Sequence, residues 1–261
     1  MKVNATLKTS LVIGLATASL ILGGLGVVGV IHSPLFTVRV VEVSDLSENS
    51  PVDAQAITDL ASVPIDTTNL FSLRLEPIER RILMHPWIRG VSISKRFPQT
   101  VSISVVFRDP KALLQRVDGS LIYVDSDGKT FGKISMMSQP DLPVISGTSP
   151  ESETESVHQI AQALKILDAW NQAKLGTISQ VASLHFDAER GIRVLVTYPL
   201  ARSQNLGRVM VDLGQDFDAD QDALLARLRG VFTYLTDNAI SAKEVWADLG
   251  KKIVVKIARS S

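Results

Sequence analysis

Residues 11–31, LVIGLATASLILGGLGVVGVI, form an unbroken run of 21 residues without a charge. A helix rises about 1.5 Å per residue, so the run spans roughly 31 Å, which matches the hydrocarbon core of a bilayer. A cleaved secretory signal is the competing reading. Its apolar region is usually about 7–15 residues long and ends at a small-x-small cleavage site. This run is longer and is followed by His32-Ser33-Pro34-Leu35-Phe36, which suits cleavage poorly. The pattern therefore predicts an uncleaved membrane helix over 11–31 behind a short tail, 1–10. Lys2 and Lys8 are the tail's charges, and it holds no acid, so the positive-inside rule puts the N-terminus in the cytoplasm. Glycines are dense late in the run, but only small-xxx-small pairs such as Gly14/Ala18 and Ser19/Gly23 occur, which ordinary glycine tolerance in membrane helices covers.

The rest of the chain has globular character. Hydrophobic residues are 45% and charged residues 21% of the whole, enough apolar surface for a core. Basic and acidic residues balance at 27 each, which argues against a nucleic-acid partner. There is no cysteine, so disulfides, thiolate metal sites and cysteine nucleophiles are excluded.

Residues 36–44, FTVRVVEVS, alternate like a half-buried strand. Ser50-Pro51-Val52-Asp53 then suggests a helix start, with serine as cap and proline at the first position, running to about Ala61 before Pro64. A second helix fits 75–84, where Leu75, Ile78 and Ile82 share a stripe and Pro86 follows. Residues 91–94 and 101–105 alternate apolar residues with serines around a turn at 97–100, which predicts two strands with serines on the solvent face. The order is β-α-α-β-β. Arg80-Arg81 and Lys95-Arg96 read as solvated faces before they read as a lipid-binding patch.

That order, just after an apolar run, resembles a POTRA domain. The string His85-Pro86-Trp87-Ile88, Val91-Ser92-Ile93, Arg96-Phe97-Pro98-Gln99-Thr100-Val101 and Arg108-Asp109-Pro110-Lys111-Ala112 resembles the bacterial FtsQ/DivIB cell-division family. Two departures stand out. Phe107 replaces the family's usual glutamate, and no glycine follows the first strand near Ser44 and Asp45.

Beyond 108 the resemblance continues. Arg116 to Leu121 reads as a hairpin with an Asp118-Gly119 turn, and Asp125-Ser126-Asp127-Gly128-Lys129 as another. Leu121 to Phe131 and Leu142-Pro143-Val144-Ile145-Ser146-Gly147 are similar to family motifs. A helix with Val157, Ile160, Leu164 and Leu167 on one stripe is expected to end at Gly176. Strands are expected near 181–187, 192–198 and 205–212, a helix over 219–237, and a closing pair at 244–249 and 252–257. The expected fold is thus α+β: a membrane helix at 11–31, a POTRA domain at 36–107, and a mostly antiparallel β domain with flanking helices at 108–261.

Catalytic constellations are missing from the sequence. His32, His85, His158 and His185 form no HxxxH pair, and no nucleophile elbow or phosphate loop is present. Asp125-x-Asp127-Gly128 and Asp216-x-Asp218-x-Asp220 lack the sixth-position glycine and twelfth-position glutamate of a calcium loop. The sequence calls for no enzyme activity, cofactor or metal.

The resemblance implies a scaffold in the cell inner membrane at the division septum, its C-terminal part periplasmic. It further implies partners FtsB and FtsL and, through them, the septal cell-wall synthases. The ten-residue head and short tail fit Gram-negative members. The family's terminal strand region is where FtsB docks, which here points to Trp246, Lys251, Ile253, Val255 and Ile257. Family members often carry a tyrosine and a tryptophan where Lys251 and about Ile257 stand. The alternation of Lys252, Val254 and Lys256 with Ile253, Val255 and Ile257 suits a strand at or near a sheet edge, open to β-augmentation. Two alternatives remain open at this level: a membrane-anchored POTRA-type translocation or assembly factor, and an anchored envelope enzyme.

Overall fold

In the computed structural model the described residues are Gly29, 33–134, 140–149, 152–201, 205–215, 217, 221–247 and 252–258. The apolar run at 11–31, apart from Gly29, lies outside them, as do Lys251 and the Asp216-x-Asp218-x-Asp220 cluster except Phe217. No helix among the described residues is long and apolar enough to cross a membrane. The chain divides into two units, with the boundary at Arg108/Asp109.

The first unit begins with a 3-10 turn at Pro34–Phe36 and continues as β1 (Val40–Ser44), α1 (Ala54–Ala61), α2 (Glu76–Leu83), β2 (Ile88–Arg96) and β3 (Thr100–Phe107). The sheet order is β1-β3-β2. β2 and β3 form the antiparallel hairpin seen in the sequence, while β1 pairs with β3 in parallel, Val43 opposite Ile103. Ile57 and Ala61 of α1 and Ile78 and Ile82 of α2 pack on Ile88, Val101, Ile103 and Val105 to make the core.

Several local expectations shift. The first strand starts at Val40, because Phe36 and Val38 are held by backbone bonds to the 66–70 segment instead. The cap of α1 is Asp53, not Ser50: its Oδ1 accepts from the Ala56 amide at 2.7 Å, while the Ser50 hydroxyl accepts from the Ser47 amide in the preceding turn. Ser102, expected on the solvent face, is buried because β3 is the central strand. Asp45 stands at φ 65°, in the left-handed region that a non-glycine residue seldom adopts. Its carboxylate accepts from the Ser104 hydroxyl at 2.8 Å, which compensates the conformation. Phe107 packs on the edge of this core.

The second unit is a nine-stranded sheet in the order β12-β11-β10-β9-β8-β7-β4-β5-β6. Its strands are β4 (Pro110–Gln115), β5 (Leu121–Asp125), β6 (Thr130–Lys133), β7 (Val144–Ser146), β8 (Gln180–Asp187), β9 (Gly191–Pro199), β10 (Leu206–Gly214), β11 (Ala242–Trp246) and β12 (Val254–Ile257). Five pairings are antiparallel and three parallel. Helices α3 (Glu153–Gln172) and α4 (Gln221–Asp237) share one continuous core with the sheet. Trp170 of α3 meets Phe232 of α4 edge-on at 5.9 Å. α3 does not end at Gly176. The chain turns at Lys174, which takes the left-handed φ of 56°, and Gly176 sits in a 3-10 turn at Leu175–Thr177. The Asp125 carboxylate accepts from the amides of Asp127 and Lys129 and so closes the hairpin turn.

Candidate partner-docking edge

β12 is the last strand at one edge of the sheet, bonded only to β11 within it. Val255 stands opposite Val245, Val254 opposite Trp246, and Ile257 opposite Ala242. The Ala258 amide donates to the Ser241 carbonyl at 2.8 Å. Successive amides in a strand point to opposite sides. Lys256 and Val254 therefore turn their backbone groups toward β11, and Val255 and Ile257 turn theirs to the open edge.

The side chains sort by face in the same way. Val245 and Ala242 belong to the core, so Val255 and Ile257 project on the helix-covered side. There they face the outer flank of α4. The inner flank of that helix, Leu224, Leu225, Leu228, Phe232 and Leu235, is buried. Its outer flank leaves a groove of about 430 Å³ between Val231, Tyr234 and Ile240 on one side and Ile253, Val255 and Ile257 on the other. Arg227 supplies a cation at its rim. Gly230 faces the groove too, and a Cβ there would meet nothing within 4 Å, so the glycine keeps it wide. Tyr234 and Ile257 are 61% and 55% exposed, a large apolar offering for a surface.

Ile240, on the groove wall, is held by Tyr198. Its hydroxyl donates to the Ile240 carbonyl and accepts from the Ala242 amide, both at 2.9 Å. Burial pushes this phenol above its usual value, with the Ala242 amide opposing the shift. On the opposite sheet face Arg193 Nε donates to Asp212 Oδ1 at 2.7 Å, and its Nη2 lies 3.8 Å from Glu244. These contacts tie β9, β10 and β11 together beneath the edge.

Of the residues proposed from sequence, Ile253, Val255 and Ile257 come together in the groove. Trp246 does not join them. It pairs with Val254 and Asp212, on the reverse face. Tyr234, Val231, Gly230 and Arg227 were not singled out from sequence as site residues. The helix period shows a wide apolar stripe in α4, but nothing in it says which flank the last strand leaves open. Among the described residues no three histidine, aspartate or glutamate side chains converge as a metal site.

Residues 36–106 match the FtsQ-type POTRA domain, and residues 112–249 match the C-terminal domain of cell division protein FtsQ/DivIB. The chain belongs to the FtsQ/DivIB family. The FtsQ cell-division protein of Syntrophotalea carbinolica is 29% identical over 221 residues, covering 83% of this chain and 73% of that protein. That of Geotalea daltonii is 27% identical over 256 residues, 95% of this chain and 87% of its own length. The Zymomonas mobilis FtsQ is 30% identical over 151 residues, 58% and 46% of the two chains. The FtsQ/DivIB C-terminal match ends at residue 249, before β12, so the helix side of the groove lies within the matched residues while Ile253, Val255 and Ile257 lie beyond them.

Proposed function

We propose that this FtsQ-family cell-division protein is a non-enzymatic, single-pass scaffold. Residues 11–31 anchor it in the cell inner membrane with the N-terminus in the cytoplasm, and its two outer units stand in the periplasm at the division septum. The scaffold holds FtsB at β12 and through it FtsL, and acts indirectly on the septal cell-wall synthases. The observation that carries this reading is the open edge of β12 beside an apolar groove. Such an edge offers backbone bonds to an added strand and pockets for its alternate side chains.

The experiment is binding of purified FtsB to the full-length protein in lipid nanodiscs, comparing wild type with Val255→Pro. The outward amide of Val255 is the one an added strand would use, and proline removes it while sparing the bonds to β11. Losing one bond and stranding its acceptor costs about 1–3 kcal/mol, so affinity should fall about 5- to 150-fold. A folded variant that binds FtsB as tightly as wild type would defeat strand addition at this edge.

A further inference from the structure

The apolar run ends at Ile31, and the first aromatic ring of the structure, Phe36, stands five residues later. Phe36 meets Phe71 edge-on with ring centroids 4.9 Å apart and Phe97 at 6.1 Å, while Phe71 and Phe97 lie 4.9 Å apart. The core of the POTRA unit does not include these rings. Phe71 is 41% and Phe97 54% exposed, and neighbouring Leu35 is 68% exposed. A single exposed phenylalanine needs no explanation, but two exposed rings in contact with each other and with the half-buried Phe36 form a patch.

The patch sits at one end of the module. β2 is nine residues long, so it spans about 30 Å at 3.3 Å per residue. Phe97 follows its last residue, and the chain leaves the module after Phe107, which pairs with Ile88 at the other end. The end at which the chain arrives from the apolar run is therefore the aromatic end. Five residues span at most about 17 Å when extended, and the 3-10 turn at Pro34–Phe36 shortens that reach. Lys95 Nζ donates to the Phe71 carbonyl at 3.2 Å and fixes the loop that carries the middle ring.

We propose that Phe36, Phe71 and Phe97, with Leu35, form a wedge that seats this end of the POTRA domain in the interfacial layer of the outward-facing leaflet. The occupant of the patch is lipid, because the chain emerges from the bilayer within reach of it. The apolar face of an interfacial helix settles about 5–10 Å into the headgroup and acyl boundary, and the wedge would reach a similar depth. The wedge rests on the reading of 11–31 as a membrane anchor.

The chain has no cysteine, so a single introduced thiol reports one position. Ser72 is exposed beside Phe71, and Met84 is exposed near the opposite end of the module, before β2. The full chain carrying Ser72→Cys or Met84→Cys is labelled with a polarity-sensitive fluorophore. Each is reconstituted in phosphatidylethanolamine–phosphatidylglycerol vesicles containing nitroxide lipids. The label at 72 should shift to the blue and be quenched by shallow nitroxides, and the label at 84 should report water. Phe71→Ser with Phe97→Ser should abolish the quenching at 72 while the protein survives an alkaline wash. Water-like signals at both positions in membrane-retained protein overturn the wedge, and so does quenching that persists without the rings. Protein stripped by the wash overturns the anchor reading, and the wedge falls with it.

Discussion

Gly207 and Tyr198 face each other across β9 and β10, and the tyrosine ring lies over the glycine: a Cβ on Gly207 would stand 2.5 Å from the ring's Cζ. The ring has nowhere to retreat. Its hydroxyl is bonded to Ile240 and Ala242, and its face meets Phe232 at 5.7 Å. The glycine is what lets the tyrosine lie flat and reach the loop that closes the groove.

Gly207→Ala should therefore destabilise the second unit by about 1–3 kcal/mol, as overpacking does. Thermal unfolding of the full chain should show the midpoint falling. A variant as stable as wild type would mean that the ring shifts without losing its bonds.

Tyr198→Phe removes the hydroxyl and strands the buried Ala242 amide, at a cost of about 1–3 kcal/mol. The pH dependence follows from the raised phenol. A group whose folded value lies above its unfolded value of about 10 contributes stability that is complete below pH 10. That stability is lost as pH rises through the folded value. Denaturant midpoints between pH 8 and pH 11 should fall in wild type at the alkaline end and fall less in Tyr198→Phe.

Asp212→Asn keeps the volume but removes the charge that Arg193 meets on the sheet's outer face. Arg193 would keep a neutral amide oxygen at position 212 and, as its carboxylate, only Glu244 at 3.8 Å. A hydrogen bond to a charged group contributes about 1.5–3 kcal/mol and one to a neutral acceptor about 0.5–1.5 kcal/mol, so urea unfolding should report a loss of about 1 kcal/mol. Arg193→Met combined with Asp212→Leu should recover much of it, because exchanging a pair for apolar residues is often neutral.

Gly230→Ala separates folding from binding. The residue sits inside α4 with open space where a Cβ would go, so alanine should raise stability by about 0.5–1 kcal/mol. The added methyl narrows the groove beside Val231 and Tyr234. A higher midpoint together with weaker FtsB binding is the expected pair of results; unchanged binding would place the partner outside the groove.

Trp87 is half-buried against the first core, and its carbonyl accepts from the Arg108 amide at 2.9 Å. Trp87→Ala should lower stability by less than the roughly 3–5 kcal/mol of a fully buried tryptophan. An unmoved thermal midpoint would assign Trp87 to contact rather than packing.

What the sequence by itself determined is local. The serine–apolar alternation of β2 and β3, the helix stripes around Ile78 and Ile160, and the glycine turns at Gly119 and Gly128, both at positive φ, are set by neighbours within a few residues. The edge alternation of β12 was visible for the same reason. The finer choices needed the fold. Asp53 caps α1 in place of Ser50 because the 47–50 turn already uses the serine. β7 is only three residues long, too short for a period, and exists because β4 and β8 pair with it from either side in parallel. Trp246 and Val255 looked equivalent as contact residues, yet the one-residue offset between them puts them on opposite faces. The groove itself joins α4 to β12 across some twenty residues of chain, and only tertiary packing decides which flank of a helix is covered and which is left open.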